Sequence, residues 1–154
     1  MAAIVESIEI SRSPEDVFSY AADPLRFPEW QDGVASAHRD DPSPVAVGSK
    51  TVVVRRVGPR RLPTTEEVVE LNGPRSWAVR GTSGPVVGIA QGTVESLDGG
   101  QRSRLTIIFD FEAHGIGKLL VPLVVRRQVK RVLPRNEQAL KEILESGTPA
   151  ARSA

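Results

Sequence analysis

Two histidines, His38 and His114, are the side chains suited to move a proton near neutral pH. His38 closes a strand-like run beside Arg39-Asp40-Asp41, and His114 falls in the turn ahead of a long helical segment. Neither has an evident nucleophile or orienting carboxylate beside it, so both read as surface residues. Two histidines without a spaced carboxylate pair make no metal site. Cysteine is absent, which removes thiolate nucleophiles, disulfides and Cys-ligated zinc and suits a reducing cytoplasm. Gly81, Gly84, Gly88 and Gly92 fall in strands and turns, and none opens a helix as a phosphate-binding loop or dinucleotide fingerprint does. Gly88 and Gly92 read instead as positions that let a sheet bend or leave room in a cavity. No cofactor and no metal are expected.

What remains are polar residues set in apolar runs. Arg55 shares a strand face with Val53 and Val57, Gln91 shares one with Ile89, and Asn136 lies close to the apolar face of the last helix. Each could orient a ligand carbonyl or hydroxyl, because a few placed polar groups set specificity in an apolar pocket. The simpler reading of each is solvent exposure or an ordinary satisfied hydrogen bond. Glu6 interrupts the apolar face of the first strand; buried, its carboxyl would be raised, but a paired or wet strand edge is the simpler reading. Phe27 and Trp30 offer a stacking wall for a planar ligand, or pack two short helices together. Trp77 and Val79 alternate inward on one strand and Phe109 and Phe111 on another, to fill a core or line a pocket. The inward face of the last helix, with Leu123 on its apolar side and Asn136 near it, is expected to carry no catalytic acid or base.

The elements that position these residues follow from periodicity. Ile4–Ser11 is a strand with Ile4, Ile8 and Ile10 on one face. Ser13 then caps a helix opened by Pro14, with Glu15 and Asp16 favouring its dipole and Val17, Phe18 and Ala21 as its buried stripe. A second short turn carries Leu25, Phe27 and Trp30, and a strand follows at Val34–His38. Runs at Thr51–Val57, Leu62–Leu71, Ser76–Arg80, Val86–Leu97 and Arg104–Glu112 are separated at hairpin spacing, which argues an antiparallel meander. Gly115–Glu145 carries a broad apolar face, and Pro134, with Pro122 near its start, should kink or interrupt it. A strand, short helices, many strands and one long helix make a curved sheet closed by a helix, which encloses space for a ligand.

At 154 residues the chain fits one core. Lys and Arg at 20 against Asp and Glu at 19 leave no global field for nucleic acid, and none is expected as a partner. No secretory signal and no membrane-spanning run are visible, so a cytoplasmic location is expected. Arg55-Arg56 and Arg60-Arg61 bracket a hairpin, and Arg126, Arg127, Lys130 and Arg131 form a basic helix stretch. An anionic partner or membrane surface is one reading, and a solvated face is the reading that near-zero net charge favours.

The Ser-Pro-Glu-Asp-Val-Phe helix start, Asp23-Pro24 and Pro28-Glu29-Trp30 together resemble the START-like (SRPBCC) superfamily, and within it the polyketide cyclase/dehydrase-like branch. Gly48, Pro74–Arg80, Leu105–Glu112 leading into Gly115–Leu120, and Asn136–Leu144 extend the resemblance over about residues 3 to 146. It implies an α+β helix-grip fold: a bent antiparallel sheet of about seven strands wrapped around a long C-terminal helix, with two short helices after the first strand. One domain over residues 1–146 is expected, as a monomer or homodimer, followed by a flexible tail at 147–154 because its residues are small and polar. The resemblance also implies a hydrophobic small molecule, lipid-like or polyketide-like, held between sheet and helix, with cyclase/dehydrase chemistry as the alternative. The residues expected to line that space are Phe27, Trp30, Val53, Arg55, Trp77, Val79, Gln91, Phe109, Phe111, Leu123 and Asn136. With Tyr20 the one tyrosine, the lining is expected to be mostly aliphatic.

Overall fold

Residues 3–83, 86–113 and 121–146 are described by the computed structural model of the chain; Gly84, His114, the Gly115–Leu120 segment and residues 147–154 lie outside them. In chain order the elements are β1 (Ile4–Ile10), α1 (Pro14–Ala21), a 3-10 turn (Pro24–Arg26), α2 (Phe27–Trp30), β2 (Val34–His38), β3 (Lys50–Val57), β4 (Arg60–Asn72), β5 (Ser76–Gly81), β6 (Val86–Leu97), a second 3-10 turn (Asp98–Gly100), β7 (Arg102–Ala113) and α3 (Val121–Ser146). The seven strands form one antiparallel sheet in the order β1-β7-β6-β5-β4-β3-β2. β2 to β7 are thus a meander, and β1 closes it beside β7. Irregular pairing at Val34/Ser36 and at Val68/Glu70 supplies local bends.

Register decides which side chains share a face, because in-register partners point the same way. One row crosses five strands as Ile4, Phe109, Ala90, Val79 and Val68. The next runs Glu6, Ile107, Gly92, Trp77 and Leu71, and a third Ile8, Leu105 and Val94. These rows make the concave face, which buries most of the hydrophobic core together with α1, α2 and α3.

α1 forms as its sequence dictates. Ser13 Oγ accepts from the Asp16 amide at 3.2 Å, Pro14 takes the first turn, and Val17 and Ala21 are buried. Phe18 is only partly buried, with its ring edge-on to Trp77 at 6.0 Å. Replacing Ser13 with Ala should destabilise the chain by about 1 kcal/mol, read as a lower urea midpoint with an unchanged slope.

α3 differs from expectation in one respect: it runs unbroken through Pro134. Proline removes an amide donor, but Pro134 and Lys130, four residues back, are both exposed, so water can take up the freed carbonyl. Pro122 stands in the first turn, where amides have no intrahelical acceptor. α3 packs on β1, β7, α1 and α2. Its C-terminal half is pinned on both sides. Arg12 Nε donates to the Leu144 carbonyl at 2.7 Å and Lys141 Nζ to the Glu9 carbonyl at 2.7 Å, while Asn136 Oδ1 accepts from the Asp32 amide at 2.8 Å. Among the described residues, no helix is long and apolar enough to cross a membrane.

Candidate functional site

The concave face is apolar along its centre and carries polar groups at two places. Val53, Val68, Trp77 and Val79 are buried there, and Phe109 and Phe111 are half-buried with ring centroids 6.0 Å apart. Toward the free end of β3 and β4, Arg55 forms an ion pair with Glu66 Oε1. Thr51 is the register partner of Glu66, and both side chains are buried. Among the described residues Glu66 Oε2 and Thr51 Oγ1 have no hydrogen-bond partner. Buried polar atoms without partners are uncommon and call for an occupant that supplies them.

The second polar place is on α3. Glu137 is only 2% exposed, on the same stripe as Leu133, Leu140 and Ile143, and among the described residues its Oε1 has no partner. Burial pushes its carboxyl up to about 8, the negative charge of Glu6 adds to the rise, and the Ile107 backbone opposes it. Glu137 is therefore mostly an uncharged acid at neutral pH. The inward face of α3 thus carries an acid at Glu137, a residue the sequence pattern did not single out. Glu6 is half-buried on the concave face, in register with Ile107, so its interruption of the β1 pattern reflects proximity to Glu137.

The structure brings together some of the residues expected to line a cavity and separates others. Phe27 and Trp30 are both buried on α2 and meet edge to face at 6.0 Å within that one turn, as part of the core; among the described residues Trp30 Nε1 has no partner. Gln91 pairs with Ala78 and Ile108 and so lies on the convex side, away from Trp77 and Phe109. Its parity with Ile89 was right, but that face is the outer one. Leu123 is 59% exposed rather than turned inward. Asn136 is half-buried and its oxygen is used by Asp32. The space at Gly92 is not vacant, because the Trp77 ring lies over it. His38 is exposed at the end of β2.

Two open grooves lie elsewhere. One of about 480 Å³ runs between α1 and the end of α3, lined by Arg12, Tyr20, Arg26 and Leu144 among others. Arg26 stacks 4.6 Å from the Tyr20 ring there, and burial, with Glu29, raises the phenol above its ordinary value. The other, of about 410 Å³, is lined by Pro14, Pro74, Arg75 and Val94 among others. Neither groove includes a residue expected to line the cavity.

Solved structures share this architecture. A START superfamily protein from Mycobacterium smegmatis superposes with TM-score 0.78 at 15% identity, covering 96% of this chain and 100% of that one. The Zhui aromatase/cyclase from a Streptomyces species gives 0.73 at 18% identity, covering 99% and 98%. The di-domain ARO/CYC BexL gives 0.69 at 14% identity, with 92% of this chain matching 46% of that one. No curated protein sequence is significantly similar to the chain. Residues 1–145 match a family described as polyketide cyclase / dehydrase and lipid transport. With that match spanning the sheet and α3 alike, the chain belongs to this family and its fold is the START-like helix grip.

Proposed function

We propose that the chain binds a hydrophobic small molecule, lipid-like or polyketide-like, between the concave face of the sheet and α3, as one cytoplasmic unit spanning residues 1–146. The observation that carries this reading is the pair of buried oxygens, Glu66 Oε2 and Thr51 Oγ1, left without partners among the described residues on a face that is apolar along its centre. A carboxylate oxygen accepts, so the ligand group facing Glu66 is a donor, such as a hydroxyl or phenol. Arg55, half-exposed and held by Glu66, is placed to meet a carbonyl. The apolar remainder, Val53, Val79, Phe109 and Phe111, would cover the ligand body. The family description and an aromatase/cyclase among the structural neighbours support the ligand class.

The test is native mass spectrometry of the chain purified from its own host, with thermal melts in a hydroxyanthraquinone and in a long-chain fatty acid. A retained apolar molecule, or a raised melting temperature with either probe, is expected. Glu66→Gln should weaken the hydroxyanthraquinone, which carries a phenolic donor, about tenfold, the worth of one hydrogen bond to a charged group. A chain that retains nothing and shifts with neither probe would sink the reading.

One observation favours a second reading. Glu137 is buried and holds its proton near neutral pH, the condition for a general acid/base in ring closure or dehydration. Turnover lost in Glu137→Gln while probe affinity is kept would mark the chain as a cyclase/dehydrase rather than a carrier.

A further inference from the structure

The cations that ligand binding leaves unused gather at one end of the molecule. Gly81 at the end of β5 pairs with Glu66, and from Glu66 to Arg60 the β4 strand continues with β3 beside it, as a projecting hairpin. β7 ends at this same end, and α3 starts there before running back to Glu9 and Arg12. Val57 is 56% exposed, Leu62 44%, Leu123 59% and Val124 69%. Arg60 shares the hairpin face of Val57 and Leu62, Arg56 and Arg61 stand on its other face, Arg127, Lys130 and Arg131 lie on α3, and all six are exposed. On α3, Leu123, Arg127, Lys130 and Arg131 recur at helix spacing and share one outward face. No Asp or Glu occurs from Thr51 to Thr65 or from Val121 to Asn136.

Two details show that these charges are left without internal compensation. Arg56 and Arg61 are directly opposed across β3 and β4, a like-charge pair that costs stability. Among the described residues none of the six cations forms an ion pair, whereas Arg102 and Arg104, at the other end of the sheet, are neutralised by Glu9, Glu95 and Asp98. Near-zero net charge thus hides a segregated distribution, and the solvated-face reading of these cations does not explain the bare aliphatic side chains beside them.

We propose that the β3–β4 tip and the first turns of α3 dock onto an anionic membrane surface, with the aliphatic side chains entering the interface and the cations meeting lipid phosphates. Exposed aliphatics interleaved with Arg and Lys on a projecting end are what an anionic bilayer interface recognises. Charge alone would satisfy an acidic protein partner and leave Val57, Leu62, Leu123 and Val124 bare, whereas a bilayer interface takes up cations and aliphatic side chains together. The proposal goes beyond the ligand-binding reading and does not depend on it.

Co-sedimentation of the full chain with vesicles tests it. The chain should sediment with vesicles of phosphatidylcholine mixed with phosphatidylglycerol, stay in solution with phosphatidylcholine alone, and be released as salt rises. Removing two cations in Arg56→Gln/Arg61→Gln should weaken partitioning roughly 30-fold, taking about 1 kcal/mol per cation. Arg127→Gln/Lys130→Gln, on an exposed helix face, should do the same without touching the sheet. Val57→Ser/Leu62→Ser should weaken binding while leaving its salt dependence. A chain that ignores anionic vesicles, or folded Arg variants that bind as the parent does, would overturn the proposal; polyglutamate binding without vesicle binding would assign the same cations to an acidic protein instead.

Discussion

Folding stability should fall as pH rises from about 4.5 to about 8, and Glu137→Gln should abolish that fall. The ordinary value for this carboxyl is 4.5, and in the folded chain it is pushed up to about 8. Between those values the folded form holds a proton that the unfolded form has released, so raising pH favours unfolding. Below the window both forms are protonated and the contribution is complete; above it both are ionised and it is gone. The slope inside the window reaches about 1.4 kcal/mol per pH unit, and the total is on the order of 5 kcal/mol. Unfolding in urea at a series of pH values, for the parent and for Glu137→Gln, isolates the effect, because other titrating groups cancel in the difference. The stability gap in favour of the variant should widen with pH. Glu6→Gln removes the second cause of the shift and should move the upper end of the window down. A gap that stays constant with pH would show that Glu137 is not the buried acid described.

The same difference bears on function. An acid buried beside a carboxylate is a costly arrangement if structure alone is at stake, since a leucine would fill the stripe with Leu133, Leu140 and Ile143. The groove-lining Tyr20 and the exposed His38 offer no comparable group inside the grip.

The fold was legible because its signals were periodic. The alternation around Leu105, Ile107 and Phe109, the Ser13 cap and the hairpin spacing each state a local structure, and register follows once one face must be buried. The site was less legible because it depends on phase. On α3, Asn136 and Glu137 are one residue apart, about 100° around the helix, and the apolar residues alone left either one inward. The spacing of Leu133, Glu137, Leu140 and Ile143 was the available signal. Gln91 was assigned the right parity on β6, but which parity is concave is fixed only by pairing with Trp77 through Gly92. The Arg55–Glu66 pair joins two strands through a hairpin register that composition does not state. Pro134 shows the reverse case, a strong local signal overridden by solvent exposure and by the contacts that hold the helix beyond it.

Gly92→Ala should be among the most damaging single-atom changes in the sheet. A methyl group at position 92 would overlap the Trp77 ring, which lies across the glycine from the neighbouring strand. Trp77 is 4% exposed and meets the edge of Phe18 at 6.0 Å, so the ring is confined on that side as well. The two backbones are held in register by the ladder between β5 and β6 and cannot part without breaking hydrogen bonds. Overpacking of this kind costs roughly 3 kcal/mol, the upper part of its usual range, and in a chain of this length that lowers the melting temperature by about 10 °C. Trp77→Leu alone should also destabilise, because it leaves a cavity over the bare glycine. The double variant should lose clearly less than the sum, since leucine makes room for the methyl group, with a coupling of about 1 kcal/mol or more. Additive losses, or a Gly92→Ala chain within about 0.5 kcal/mol of the parent, would mean that the indole does not rest on Gly92 and that the space above it is open to a ligand after all.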